Sequence, residues 1–434
     1  MSRKTSRRRF LQSTTFAGIG FWMAGAGGAR AASPNEKINI GIIGVNHRGR
    51  SNMMSVAGEN ITALCDIDEN YLAEAKKKFP KAKTYVDWRK MVDHKGLDAV
   101  TCSTADQVHA LASCWAMRRG LGVYCEKPLA HSVHEARAVQ DTYKKSKVAT
   151  QMGTQIHATN NYRRVVELVQ SGAIGPIREA HVWCGRQGPG GGLPQGEDPV
   201  PKNLNWDLWL GPAPFRPYNK KYMPGNMTWN RWWDFGNGCL GDMGSHLIDL
   251  PFWALKLRDP LTCEAYGDPK PPSPYTNPKW LVVTWEHPAR GEMPPLKLTW
   301  YDNVKRPPSP EGVDLTKWHI GVMFVGDKGK LVADYGKHVL LPKDKYKDFK
   351  PPAQTIPASI GHHKEWINGV KTGAPTLCNF DYSGKLIEHN LLGNVAFRAG
   401  KKLQWDAKNL KATNCPEADR YIQREYREGW SLEG

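Results

Sequence analysis

The first third of the chain alternates two hydrophobic patterns. Short apolar runs, rich in β-branched residues, lie at 38–43, 61–65, 98–102, 122–125 and 148–152. Amphipathic stretches at 47–57, 70–79, 106–119 and 132–146 separate them and read as helices. Runs that are apolar throughout predict strands buried on both faces. Strands alternating with helices of this length predict a doubly wound, parallel α/β sheet. Ligands bind such sheets outside the carboxyl ends of the strands. Past residue 152 the pattern changes. A helix is expected over 158–171, a turn at 172–175 and an alternating strand over 177–185. Residues 186–240 are rich in Gly, Pro and Trp, with little periodicity. Such a long loop is functional or disordered, and Trp206, Trp209, Trp229, Trp232 and Trp233 argue against disorder. A helix is expected over 244–257, strands over 262–267, 280–286, 296–303, 319–325 and 330–334, and helices over 361–371 and 382–399. Pro-rich hairpin loops at 269–274 and 306–310 fit an α+β domain built on a large, mostly antiparallel sheet. The expected domains are thus 35–152 and 153–405, followed by an extension over 406–434.

The end of the first apolar run carries a glycine pattern. Gly44, Asn46 and Gly49 stand at the spacing of the dinucleotide fingerprint G-x-G-x-x-G, with Arg48 inside it. Asp66 ends the second run, about twenty residues on, where the fingerprint expects an acid. A tight turn lets backbone approach a pyrophosphate, and the helix N-terminus offers N–H groups and a positive dipole end. Asp66 is placed to accept hydrogen bonds from a ribose diol and would repel a 2′-phosphate. The first domain therefore reads as a Rossmann domain for NAD rather than NADP. Asn46 replaces the second glycine, and Asn is the next most tolerant residue at positive φ.

Charge and composition narrow the function. The net charge is +18, and the first 32 residues hold six basic residues and no acid, which leaves +12 for the rest. That charge is scattered, without a long Lys/Arg run, so nucleic acid is not expected as a partner, while an acidic sugar or glycan stays open. Ser6-Arg7-Arg8-Arg9-Phe10-Leu11-Gln12 resembles a twin-arginine export motif. A Gly/Ala-rich stretch and Ala29-Arg30-Ala31 follow, which reads as a signal peptide over 1–32 cleaved near Ala32. The expected location is the periplasm, with no membrane attachment after cleavage. This route carries folded proteins, which suits a cofactor loaded in the cytoplasm. The nine cysteines show no C-x-x-C and no metal spacing, and Cys65, Cys102 and Cys125 read as buried free thiols.

Two stretches could carry chemistry. Glu126-Lys127-Pro128 follows a strand end, where Lys127 can polarise a reacting hydroxyl. The bland alternative is a surface turn. Asp242 and His246 stand four apart in Gly241-Asp242-Met243-Gly244-Ser245-His246, on one face of a helix expected to begin near 242. That pair suits general acid–base work, although an N-cap and a half-buried histidine would look the same.

Taken in order, the fingerprint, Thr104-Ala105-Asp106-Gln107-Val108-His109, Glu126-Lys127-Pro128 and Gly241 to Asp249 resemble the Gfo/Idh/MocA oxidoreductases. The resemblance extends over roughly 37–405 and includes Phe324-Val325-Gly326-Asp327-Lys328-Gly329. It implies an NAD-linked sugar or polyol dehydrogenase. Lys127 would be the catalytic lysine, and Asp242 and His246 would orient and deprotonate the hydroxyl. Asp66 would hold the ribose, Thr104 and His109 would line the nicotinamide side, and Glu126 completes the cofactor set. Arg231, Trp232 and Trp233 are candidates to border a pyranose, with loop packing as the alternative for the tryptophans. The resemblance also implies a homodimer or homotetramer and a tightly held, recycled cofactor. A rival within the same site is a glycoside-cleaving enzyme that works through a 3-keto sugar; a non-catalytic NAD- or glycan-binding protein is a rival of another class.

Overall fold

The computed structural model describes residues 36–433, apart from 187, 189, 190 and 224–226. The expected signal peptide lies outside the described residues. Six parallel strands form the first sheet: β1 (Asn39–Ile43), β2 (Asn60–Cys65), β3 (Lys83–Tyr85), β4 (Ala99–Cys102), β5 (Gly122–Cys125) and β6 (Thr150–Met152). Their order is β3-β2-β1-β4-β5-β6. The order reverses between β1 and β4, which opens the crevice where such folds bind ligands. Helices α1 (Arg48–Ser55), α2 (Glu69–Lys78), α3 (Asp106–Arg118) and α4 (Val133–Ser146) connect the strands. Asp68 caps α2, and Ser132 with Glu135 forms a capping box on α4. The first turn of α1 has no side-chain cap, so its N–H groups stay available at the crevice.

After α5 (Asn160–Gln170), the chain enters the second sheet through β7 (Ile177–Cys184). The long loop contains a short helix, α6 (Trp206–Leu210), and leads to α7 (Gly238–Leu247) and α8 (Asp249–Ala254). Strands β8 (Thr262–Asp268), β9 (Trp280–His287), β10 (Leu296–Asp302), β11 (Ile320–Gly326), β12 (Gly329–Ala333) and β13 (His338–Leu341) follow. Then come α9 (His362–Thr372), α10 (Phe380–Ala399), β14 (Leu403–Asp406) and β15 (Lys411–Ala412). The nine-stranded order is β13-β12-β11-β7-β10-β9-β8-β14-β15, with only the β7–β10 pair parallel. The buried helix α10 joins the domains: Arg137 of α4 grips Glu388 at 2.8 and 2.9 Å.

One expectation needs correction. The helix placed at 244–257, or from 242, begins at Gly238 and breaks at Ile248 into α7 and α8. Asp242 is therefore inside a helix and is not its N-cap. Glycine run 236–244 lacks helix propensity, but tertiary contacts supply what propensity does not. The Asn230 carboxamide oxygen accepts the N–H groups of Asn237 and Gly238, both at 2.9 Å. Gly238 has φ +63°, and a Cβ there would lie 2.6 Å from Asn277 Oδ1. In the extension past 406, Trp430 packs on Trp88, and Arg427 binds Asp207. All nine cysteines are free thiols, Cys65, Cys102 and Cys125 among the buried ones.

Candidate active site

A cleft of about 380 Å³ opens beyond the carboxyl ends of β1, β2, β4 and β5. Gly44, Asn46, Arg48, Asp66, Thr104, His109, Glu126, Lys127 and His246 all line it. Gly44 has φ +81°, and a Cβ there would strike the Ser103 carbonyl. A Cβ at Gly49 would strike the Gly44 carbonyl, so this glycine lets α1 pack against the turn. The tolerance assigned to Asn46 is taken up one residue later, because His47 has φ +48°.

Asp66 closes the turn from below. Its carboxylate accepts the N–H groups of Val45 (2.9 Å) and Asp68 (3.0 Å). Burial pushes its pKa up to about 6, against the pull of those two bonds. Each carboxylate oxygen keeps a lone pair for a ribose hydroxyl. The uncapped start of α1, the two glycine close approaches and Asp66 together fit a dinucleotide.

Glu126 has a different role from the one its neighbours suggest. Its Oε1 accepts from Arg48 Nε (2.9 Å), Asn52 Nδ2 (2.9 Å) and Gln155 Nε2 (3.0 Å). Burial raises this carboxyl, but Arg48, Lys127 and the hydrogen bonds outweigh it and hold the group below its ordinary value. Glu126 is thus an ionised bolt joining α1, the end of β5 and the segment after β6. His109 is also a brace: its nitrogens face the carbonyls of Pro128 (2.7 Å) and Thr104 (3.1 Å).

Lys127 projects from the end of β5 and forms an ion pair with Asp242 of α7. Asp242 is 1% exposed and also binds Arg186. Burial raises its carboxyl, but Lys127 and Arg186 hold it below the ordinary carboxylate range. His246, one turn on, is lowered to about 4 by burial and by Lys127, so it is neutral at pH 7. Its Nδ1 has no hydrogen-bond partner among the described residues. A half-buried lysine, a shared carboxylate and a neutral imidazole thus converge at one end of the nucleotide cleft. This constellation can polarise a hydroxyl and take its proton.

Residues 38–154 match the family described as "Oxidoreductase family, NAD-binding Rossmann fold", and 180–265 match its "C-terminal alpha/beta domain". These two stretches, just under half of the chain, are similar to the Gfo/Idh/MocA oxidoreductases. The inositol 2-dehydrogenase of Salmonella typhimurium is 28% identical over 146 residues, which cover 33% of this chain and 43% of that one. A glycosyl hydrolase family 109 protein of Solibacter usitatus is 30% identical over 202 residues, 40% of this chain and 44% of that one. The matches therefore span less than half the length of these curated relatives. The WlbA dehydrogenase from Chromobactrium violaceum, solved with NADH and UDP-GlcNAcA, is similar in fold: TM-score 0.61 at 16% identity, over 87% of this chain and 99% of that one. A levoglucosan dehydrogenase solved with NADH and levoglucosan gives a TM-score of 0.56 at 16% identity, over 85% and 99%.

Within this site, the substrate-border candidates separate from the rest. Trp232 and Trp233 are buried away from the cleft, and their indole N–H groups donate to Gly192 O (3.2 Å) and Ser273 O (3.1 Å). Arg231 lies over Trp232 at 5.3 Å and does not line the cleft either. The tryptophans on its wall are Trp88, Trp209 and Trp229. Asp106, which falls just past a strand end, lines the cleft at the start of α3 and stands beside Lys127. One group escaped the sequence reading. Arg186 follows β7 inside the aperiodic loop, where no spacing marks it.

Proposed function

We propose that the protein is an NAD-dependent oxidoreductase that removes hydride from a CH–OH group of a carbohydrate or polyol. The observation that carries this reading is the Lys127–Asp242–His246 cluster at the end of a dinucleotide cleft. Bound NAD supplies the hydride acceptor. Asp66 and the start of α1 would hold the dinucleotide in the cleft that Lys127 also lines. Lys127 donates a hydrogen bond to the substrate oxygen and stabilises the alkoxide that grows on it. Neutral His246 takes the hydroxyl proton. Asp242 holds Lys127 in place and stabilises the imidazolium. One CH–OH thus loses a hydride and a proton and becomes C=O.

A redox-neutral variant has its own support in the family 109 hydrolase relative. Oxidation at sugar C3 acidifies the C2 proton, the C1 substituent leaves, water adds and the hydride returns. The same three residues serve both reactions. The twin-arginine motif supports export and a periplasmic site of action, where scarce free NAD favours a tightly held, recycled cofactor. The incompletely covered outer face of the second sheet, with Tyr266, Thr284 and Tyr301, supports a homodimer or homotetramer. The test uses the mature protein purified without added nucleotide. Its absorbance and fluorescence report bound NAD(H), and a panel of sugars, polyols and aryl glycosides is then added. NADH with a ketone product fits the dehydrogenase; released aglycone without NADH fits the glycosidase. A protein that binds no NAD would refute both.

A further inference from the structure

We infer that the protein carries a second ligand site, a pocket in which Arg398, Arg420 and Arg424 hold a small tetrahedral dianion, either phosphate or the phosphate group of a phosphorylated sugar. The site goes beyond the oxidoreductase reading and uses none of its reacting groups. A cavity of about 350 Å³ lies where α10, the segment before α4, the loop at 233–237 and the C-terminal extension meet. All three arginines line it, and among the described residues it shares no wall with the nucleotide cleft. Arg398 comes from the last turn of α10, Arg420 from the short helix Asp419–Ile422, and Arg424 from just beyond that helix. One ring brings two of them together. The Arg398 and Arg420 guanidinium carbons lie 4.2 and 4.7 Å from the centroid of Tyr421, so they are no further apart than those two lengths end to end. Arg398 also lies 5.0 Å from the Trp233 ring. His131, on the same walls, is close to the other pair. Burial first, then the charges of Arg424 and Arg398, hold it well below its ordinary value, so its ring adds no charge.

The arginines are short of partners. Arg398 and Arg420 form no hydrogen bond or ion pair among the described residues. Stacking on a ring engages the face of a guanidinium and leaves its in-plane N–H groups free. Arg424 donates to Glu135 from Nε (2.8 Å) and to the Gln107 carbonyl from Nη2 (2.7 Å), but its Nη1 is buried without a partner. The acids on the walls are Asp234 and Glu425. Asp234 is held by Arg216 at 2.8 Å, and Glu425 is exposed to screening water. Glu417, which faces Arg420, is exposed and outside the cavity. Burial lowers half-buried Arg398 only to about 10, so it stays charged at pH 7. A cation withdrawn from water is costly unless an anion pairs with it. Three forks from separate segments, two of them without any carboxylate, call for several acceptor oxygens and more than one charge. A phosphate supplies both, whereas a carboxylate offers two oxygens and one charge.

The experiment uses the mature protein saturated with NAD, so that the nucleotide cleft is filled. It is titrated in a calorimeter with inorganic phosphate, with glucose 6-phosphate and with acetate as the planar monoanion. Phosphate should bind, and its affinity should fall as sodium chloride rises. Arg398→Gln and Arg420→Gln should each weaken it about tenfold, the loss of one charge-assisted hydrogen bond. Arg398→Lys should keep part of the affinity. Unchanged Tm and NAD content show that the variants fold, and Arg420 is exposed, so its replacement leaves the core untouched. Tighter binding of glucose 6-phosphate than of phosphate assigns the pocket to a phosphorylated sugar; the reverse assigns it to free phosphate. No binding up to about 10 mM phosphate, binding that neither glutamine variant weakens, or acetate held as tightly as phosphate overturns the proposal. A protein that turns over no sugar overturns the oxidoreductase reading and leaves this pocket standing.

Discussion

Replacing Glu126 by alanine should loosen the cofactor site without touching the reacting groups. The carboxylate is 4% exposed and accepts three hydrogen bonds at 2.9 to 3.0 Å. None of the donors is stranded by its loss. Asn52 Nδ2 keeps Ser103 Oγ at 2.9 Å, Gln155 keeps the Tyr124 hydroxyl at 2.7 Å, and the Arg48 side chain is 44% exposed and reaches water. The cost is then three hydrogen bonds to an ionised carboxylate, one of them an ion pair with the half-exposed Arg48, plus a small void, together about 3 to 4 kcal/mol. The helix that begins at the pyrophosphate turn also loses its tie to β5. NAD affinity should fall about tenfold, or ~1.4 kcal/mol. Urea unfolding of the apoprotein reads the first quantity, and a fluorescence titration with NADH reads the second. Gly153→Ala should act in the same direction, because its Cβ would press on this carboxyl at 2.7 to 2.8 Å. A Glu126→Ala protein within ~1 kcal/mol of wild type, with unchanged NADH affinity, would refute the assignment of Glu126 as a bolt.

Other outcomes follow from the same geometry. Asp66 is raised to about 6 by burial, so NAD affinity should weaken as pH drops through about 6 and the acceptor carboxylate is protonated; calorimetry on Asp66→Asn should show weak binding without that pH dependence. His246→Gln should lower kcat by ~10² to 10⁴ while NAD binding persists, as expected for a lost general base. Burial lowers His362 to about 3, and His363 and His389 to about 4, below the unfolded value near 6.5. The unfolded chain therefore binds more protons between those values, and stability should fall as pH drops from about 6.5 toward 4, readable as a lower urea midpoint at pH 5 than at pH 7. Arg427 binds the Asp207 carboxylate and the carbonyls of Asp207 (2.7 Å) and Gly211 (3.1 Å), beside the cleft residues Leu208 and Trp209. Arg427→Ala should cost ~1 to 3 kcal/mol and speed NADH release in a stopped-flow chase.

The parts of this protein legible in its amino-acid order are those governed by local periodicity and short spacing. Five short, largely apolar runs predicted the parallel sheet, and strand, turn, helix and Asp66 at fixed offsets marked the nucleotide cleft. The four-residue step from Asp242 to His246 placed both on one helix, whose start at Gly238 was not visible. Glycines there form a helix because Asn230, in the preceding loop, accepts the N–H groups of Asn237 and Gly238 and is itself bound by Asn277 from further along the chain. Long-range contacts also decided what each polar residue does. Glu126 became a bolt because Arg48, Asn52 and Gln155 converge on it, and His109 became a brace between two carbonyls. Trp232 and Trp233 went into loop packing, since a long loop must bury its own apolar surface. Arg186 reached Asp242 only through the meeting of β7 and α7. Sequence spacing encodes what lies one turn or one strand away; which charges share a carboxylate depends on elements separated by tens of residues, and only the folded arrangement of the two sheets determines it.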